Sequence, residues 1–268
     1  VICFGSNAGA GTVQDPLSIR FSSQEDPFTW TPTATNTAGE LRLGSGTQIV
    51  RALETKREIV VFTDSAIHSM QYLGPPYTFG VQQLATGITI AGFNSAVAVD
   101  DSVFWMGNSN FYVYAGRTDP LTCPVQHYVF DDFNSSQSDK VFAYLNSQYS
   151  EVTWLYPSGD SEDCDRYVTY NYVDKAWTFG NMSRTSWLDK GVSNLPIAAA
   201  KDQYLYFQEV GTDDGSTNPP SALAPYIESS PIDIGEGEKF SFVRRIIPDI
   251  NFYASTSNPT ATMVLKTQ

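Results

Sequence analysis

Basic charge, histidine and cysteine are all scarce in this sequence, and it has no long apolar run. Lys and Arg number 16 against 29 Asp and Glu in 268 residues, which leaves a formal net charge of −13. Such a surface repels phosphate and disfavours nucleic-acid binding through counterion release. It suits solubility, and it equally suits a wall that must lie near nucleic acid without gripping it. The two histidines, His68 and His127, each sit in a strand pattern and read as hydrogen-bonded structural residues. Cys3, Cys123 and Cys164 are odd in number and far apart, with no CxxC spacing. That argues against both a disulfide framework and a zinc site, and favours small buried hydrophobes in a protein folded in a reducing cytoplasm. No stretch approaches the roughly 20 apolar residues that span a bilayer. Val1–Phe4 lacks the basic start of a secretory signal. The GxSxG, HExxH, P-loop and GxGxxG patterns are missing as well, so the common hydrolase and nucleotide-binding chemistries have no foothold. The chain is accordingly read as a non-enzyme, with no catalytic, cofactor-binding or metal-binding residue assigned.

Helical periodicity is a further absence, and it turns attention to what is abundant. Tyr (15) and Phe (16) are plentiful, and with Val, Ile and Thr they suit a pleated, half-buried surface. A strand of this composition recurs, beginning at Val1, Ile59, Val103, Val152 and Tyr204, with steps of 58, 44, 49 and 52 residues between successive starts. A strand-built unit repeating every 40–50 residues or so is the signature of a β-propeller.

The first unit runs from Val1–Phe4 and Leu17–Phe21 to a strand at Gln48–Leu53. The second has Ile59–Thr63, apolar on both faces, then Ala66–Tyr72, a break at Gly74–Pro76, and short strands at Ile88–Ile90 and Ala96–Val99. The third turns at Gly107–Asn110 between Val103–Met106 and Phe111–Tyr114, then adds Val125–Phe130 and Val141–Leu145. The fourth comprises Val152–Tyr156, Tyr167–Tyr172 and Trp177–Phe179, and the fifth starts at Gln203–Gln208. Residues 1–226 are therefore read as propeller blades. Residues 227–268, with a longer hairpin over Lys239–Ile247 and strands at Ile250–Tyr253 and Thr262–Leu265, are read as the start of a second small β domain. The chain begins inside a strand pattern and ends on the apolar run Met263–Leu265, so both the propeller and the second domain are expected to be parts of a longer polypeptide.

Each candidate site has a plainer structural reading. Asp160–Asp165 gathers four carboxylates in six residues, enough oxygen to consider calcium, but it lacks the glycine and the distal Glu of an EF-hand loop. Ser22–Trp30 has the acidic turn and Trp of a sialidase Asp box, with Pro27 and Phe28 where that box needs Gly. Such a box is structural, and no arginine triad accompanies it. Tyr77, Tyr149 and Trp187 could stack on sugars or partners, with packing between blades the expected use. Arg244 and Arg245 form a basic pair among Phe240, Phe242, Ile246 and Ile247. Strand alternation would put one on each face, as a candidate subunit interface.

Four stretches, Ser22–Pro32, Ser69–Tyr77, Val103–Gly107 and Phe242–Asp249, together resemble the tail hub, or nozzle, proteins of short-tailed bacteriophages, also called packaged-DNA stabilisation proteins. The resemblance runs from Ser22 to about Asp249 and is clearest before Tyr156. It implies a β-propeller body in a homo-hexameric ring below the portal and adaptor proteins. The ring would continue the DNA channel, retain the packaged double-stranded DNA until ejection and carry tail fibres or spikes. Assembly would take place in the host bacterial cytoplasm and the product would reside in the virion. No catalytic residue or cofactor is implied. The alternative is a carbohydrate-binding or glycoside-hydrolysing propeller, which would need paired carboxylates at the propeller axis.

Overall fold

The computed structural model describes residues 1–7, 11, 13–214, 219–223, 225–229, 242, 244–252 and 259–266. It divides into two compact units, Val1–Gly211 and Thr212–Gln268.

The first unit is a series of antiparallel sheets taken in chain order, the blades of a β-propeller. β1 (Ile2–Phe4), β2 (Ser18–Phe21) and β3 (Gly39–Arg42) form the first. β4 (Ile49–Glu54), β5 (Ile59–Thr63), β6 (Ala66–Gly74) and β7 (Thr78–Thr86) form the second. The third has β8 (Ala96–Val99), β9 (Ser102–Met106), β10 (Phe111–Tyr114) and β11 (Thr118–Pro120). The fourth has β12 (Phe142–Asn146), β13 (Glu151–Tyr156), β14 (Arg166–Asn171) and β15 (Ala176–Asn181). β16 (Ser186–Leu188), β17 (Ile197–Ala199) and β18 (Leu205–Phe207) complete the series. First strands of neighbouring sheets touch, β4 with β8, β8 with β12 and β12 with β16, so they converge while the later strands spread outward.

The recurring strand owes its composition to its place. β5, β9 and β13 are the second strands of their sheets, and alternate side chains point to opposite faces. Val61 of β5 joins Ile19, Phe21 and Met70 against the first sheet, while Val60 and Phe62 join Val103 and Trp105 against the third. Phe104 and Met106 of β9 then pack with Val152, Trp154 and Tyr156 of β13. A strand sandwiched between two neighbours must be apolar at consecutive positions, which is the pattern that Ile59–Thr63 carries.

The phase of the repeat differs from the sequence reading by one strand. Gln48–Leu53, Ala96–Val99 and Val141–Leu145, read as closing their units, correspond to β4, β8 and β12, and each opens the next sheet. Tyr204–Gln208 corresponds to β18, the third strand of its sheet, where the other recurring strands of the four-stranded sheets are second. Gly74–Pro76, read as a break in the run, with Tyr77 turns β6 back into β7, whose exposed Gln82 and Gln83 hide it as a strand. Ile88–Ile90 forms no strand. Val125–Phe130 is largely helical, as α1 (Gln126–Phe130), followed by a 3-10 turn at Ser135–Lys140. Five residues are too few to display a 3.6-residue period.

In the second unit, β19 (Asp213–Asp214) pairs with β20 (Ser221–Ala222), and Lys266 Nζ lies 2.6 Å from Glu228 Oε1. The hairpin expected over Lys239–Ile247 falls partly outside the described residues. Its described part, with Ile250–Phe252 and Thr262–Leu265, forms no strand. Among the described residues no helix is long and apolar enough to cross a membrane.

Candidate functional site

The most unusual surface lies where the β2–β3 loop meets the β6–β7 hairpin. Asp26 shapes the loop: its carboxylate accepts from Phe28 N at 2.9 Å and from Thr29 Oγ1 at 2.6 Å, and Trp30 Nε1 donates to Pro27 O at 2.8 Å. The hydrogen bonds from Thr29 and from the Phe28 amide outweigh the small effect of burial and hold the Asp26 carboxyl below its usual range. This turn is structural, as its sequence suggested, and it drives Phe28 outward to 90% exposure. The loop is anchored to the hairpin through Thr37, which accepts from Gln24 N at 2.7 Å on its hydroxyl and from Thr78 Oγ1 at 3.2 Å on its carbonyl. On the hairpin, Tyr72, Leu73 and Tyr77 are 61%, 60% and 75% exposed. Tyr72 leans edge-on against Phe79, which packs edge-on against buried Phe21. Within this rim Tyr72 thus stands on a packed aromatic base, and Leu73 lies on the other face of the strand, over Gly80. Clusters of exposed large apolar side chains on rigid supports mark interaction surfaces.

A polar clamp joins the second and third sheets at the turn between β4 and β5. Glu58 accepts from Ser69 Oγ, from Tyr114 OH at 2.5 Å and from Gln71 Nε2 at 3.0 Å. Beside it Lys56 pairs with Asp100 at 2.6 Å and Arg57 with Asp101 at 3.3 Å. Burial alone would raise the Glu58 pKa, but the three donors together, helped by Arg57, bring it below its usual value. These hydrogen bonds fasten the β4–β5 turn to β6 and to β10 of the third sheet.

The other sequence candidates are spread over the fold. In the Asp160–Asp165 loop, Asp165 accepts from Ser158 N and Oγ at 2.8 and 2.6 Å, and Asp163 lies 3.7 Å from Lys140 Nζ. Among the described residues no three His, Cys, Asp or Glu side chains gather as a metal site would need. Arg244 and Arg245 are both exposed, lie in no strand, and enter no ion pair among the described residues, so the alternation argued for them does not apply. Tyr77 belongs to the rim, Tyr149 is 45% exposed, and Trp187 stacks on Tyr144 with centroids 4.0 Å apart. The pair of carboxylates wanted by a glycosidase has one partial counterpart: burial and then Glu209 raise the Glu151 pKa. Glu209 itself accepts from Asn146 Nδ2 at 3.1 Å.

Three residue readings are corrected. Cys123 and Cys164 are buried free thiols, pushed by burial up to about 11 and about 12, but Cys3 is exposed on β1. His127 lies on α1, not on a strand, and its side chain is exposed. His68 is buried in β6, and neither ring nitrogen has a hydrogen-bond partner among the described residues. Burial lowers its pKa from the ordinary 6.5. Protonation therefore favours the unfolded chain. The contribution of His68 to stability is complete above pH 6.5 and falls as pH drops from there through the folded-state pKa, by at most about 1.4 kcal/mol per pH unit. We expect His68→Leu to raise stability near neutrality by roughly 1 kcal/mol, since it removes unsatisfied polar atoms. It should also flatten the loss just below pH 6.5 in urea titrations run at a series of pH values. An unchanged acid slope would show that another group sets it.

No family model and no curated protein matches the sequence. Solved structures do resemble it. Hsv2 of Kluyveromyces marxianus is 8% identical at a TM-score of 0.43, with 72% of this chain matching 56% of that one. This chain thus spans little more than half the length of that protein. Hsv2 of Kluyveromyces lactis is 12% identical at a TM-score of 0.42, covering 84% of this chain and 79% of the other. The N-terminal domain of Nup159 is 9% identical at a TM-score of 0.32, over 78% and 74%. These are distant likenesses of fold.

Proposed function

We propose that this chain is a structural virion protein, a subunit of the tail nozzle or hub ring of a short-tailed bacteriophage. In this reading six copies form a ring below the portal and adaptor proteins, continue the DNA channel, retain the packaged genome and anchor tail fibres or spikes. The role is mechanical, with no reaction catalysed and no cofactor required.

The observation that carries the reading is the apolar rim. Two of the four stretches that resemble the nozzle family, Ser22–Pro32 and Ser69–Tyr77, are tied together through Thr37 and Thr78, and they expose Phe28, Tyr72, Leu73 and Tyr77. A subunit that works only inside an assembly has reason to expose such a rim; an isolated protein would be exposed to aggregation through it. The net charge of −13 supports the channel role, because a conduit with few cations does not hold each phosphate as DNA slides past.

A reconstruction of the particle that carries this chain tests the proposal. Six copies around the DNA channel, beneath the portal, are the expected result. Purified particles that lack the chain would end the reading. Specific binding or hydrolysis of a glycan by the purified protein, with no place in a particle, would favour the carbohydrate alternative.

A further inference from the structure

Two carboxylates and a buried amide meet where the fifth sheet joins the fourth. Asn146 ends β12 and is 2% exposed. Its Nδ2 donates to Glu209 Oε1 at 3.1 Å, and Glu209 follows β18, so this bond ties the fifth sheet to the fourth. The other end of the same amide is bare: Asn146 Oδ1 is buried and has no donor among the described residues. A buried acceptor without a donor is costly, and a native structure that keeps one calls for an explanation. Directly across the ladder from Asn146 stands Glu151, the half-buried first residue of β13. Residues paired in this way point to the same face of a sheet. Neither Glu151 nor Glu209 enters an ion pair among the described residues. Tyr144 of β12 and Tyr167 of β14 share the neighbourhood of the two carboxyls, and burial keeps Tyr144 un-ionised. Asp189, after β16, is taken up by Ser147 N at 3.2 Å and Lys190 N at 2.8 Å.

We propose that Glu151, Asn146 and Glu209 form an acid-strengthened latch between the fourth and fifth sheets, in which the protonated Glu151 carboxyl donates to Asn146 Oδ1 while Asn146 Nδ2 donates to the Glu209 carboxylate. A protonated carboxyl supplies the one O–H donor that the amide lacks. The amide then has a partner at each end, and only one of the two acids is charged. Ionisation of Glu151 undoes both at once, because it strands Oδ1 and sets two like charges on one face. Burial, and then Glu209, raise the Glu151 pKa above its ordinary 4.5, in keeping with this arrangement. The contribution of the latch is therefore complete below pH 4.5 and is lost as pH rises through the folded-state value. That sign is opposite to those of His68 and Glu58, both of which lose stability on acidification. The latch belongs to a single subunit and stands apart from the tail-ring reading.

Hydrogen exchange of the β16–β18 amides, corrected for intrinsic rates and followed from pH 4.5 to neutrality, tests it on the 268-residue chain. Glu151→Gln puts a permanent N–H donor where the acid stands, whereas Glu151→Ala removes the charge and supplies no donor. Wild-type protection should fall as pH rises, by up to about tenfold for each unit by which the fold raises the Glu151 pKa. Glu151→Gln should keep the acid level of protection at every pH. Glu151→Ala should be equally flat but less protected than Glu151→Gln. Glu209→Gln should move the wild-type midpoint down towards 4.5. The proposal is overturned if Glu151→Gln protects no better than Glu151→Ala, or if the gap between wild type and Glu151→Gln does not widen towards neutrality. A Glu151→Gln protein that is already weaker than wild type at pH 4.5 also overturns it, since Gln then fails where the protonated acid should succeed. None of these outcomes bears on the nozzle, which the particle reconstruction decides.

Discussion

Replacing Trp154 by alanine is expected to lower the unfolding free energy of the first unit by roughly 3–5 kcal/mol, the largest effect foreseen for a single side chain here. Trp154 is fully buried in β13 and closes the space between the third and fourth sheets. Its ring lies 4.9 Å from Phe111 and 6.2 Å from Trp177, centroid to centroid. Neither neighbour can fill the void, because Trp177 is itself tied by its Nε1 to Thr122 O at 3.0 Å. The change also removes a hydrogen bond, since Trp154 Nε1 donates to Ser95 O at 3.0 Å. Ser95 is fully buried, so that bond lies in a dry setting. Trp154→Phe separates the two contributions by keeping most of the volume and losing only the donor; about 1 kcal/mol is expected for it. Urea unfolding followed by tryptophan fluorescence reads both. A Trp154→Ala variant within about 1 kcal/mol of wild type would mean that the two sheets are not joined as described.

Glu58→Ala should cost about 2–3 kcal/mol at neutral pH, because it strands three donors at once. Ser69, Gln71 and Tyr114 all give hydrogen bonds to this carboxylate, and Tyr114 belongs to the third sheet while Glu58 belongs to the second. The Tyr114 hydroxyl remains a donor throughout the ordinary pH range, since burial, and then Glu58, push its pKa up. The acid behaviour provides an independent reading. The folded pKa of Glu58 lies below its ordinary 4.5, so its contribution is complete above that pH and is lost as pH falls through the folded value. Wild type should therefore lose stability on acidification below pH 4.5 more steeply than Glu58→Ala, well apart from the His68 window that opens at 6.5. Parallel acid limbs for the two proteins would show that the clamp is not made.

Much of this architecture was legible because of where the recurring strands sit. A second strand enclosed on both sides cannot alternate, and Ile59–Thr63, Val103–Met106 and Val152–Tyr156 announce themselves by being apolar at successive positions. The Gly107–Asn110 turn was equally readable, since Gly107 N donates to Asn110 O at 2.8 Å to close the hairpin. Outer strands were not readable. β7 and β11 have neighbours on few sides, so exposed Gln82 or Pro120 serve there as well as apolar residues would. The candidate surfaces were only half legible. Ser22–Trp30 and Tyr77 drew attention through composition, but the exposure of Tyr72 and Leu73 on β6 did not show in a run that reads as a core strand.

By itself the sequence determined the fold class, the sandwiched strands and the excess of negative charge, because each follows from residue type and short-range order along the chain. Tertiary structure alone decided which sheet each strand opens, since pairing depends on neighbours the local pattern does not specify. It also decided that His68 would be dry and unpartnered, and that Glu58 would fasten two sheets through a tyrosine 56 residues away. The same holds for the apolar side chains exposed on the β2–β3 loop and the β6–β7 hairpin. An apolar strand face is core or contact according to what lies against it, and that is a property of the folded molecule.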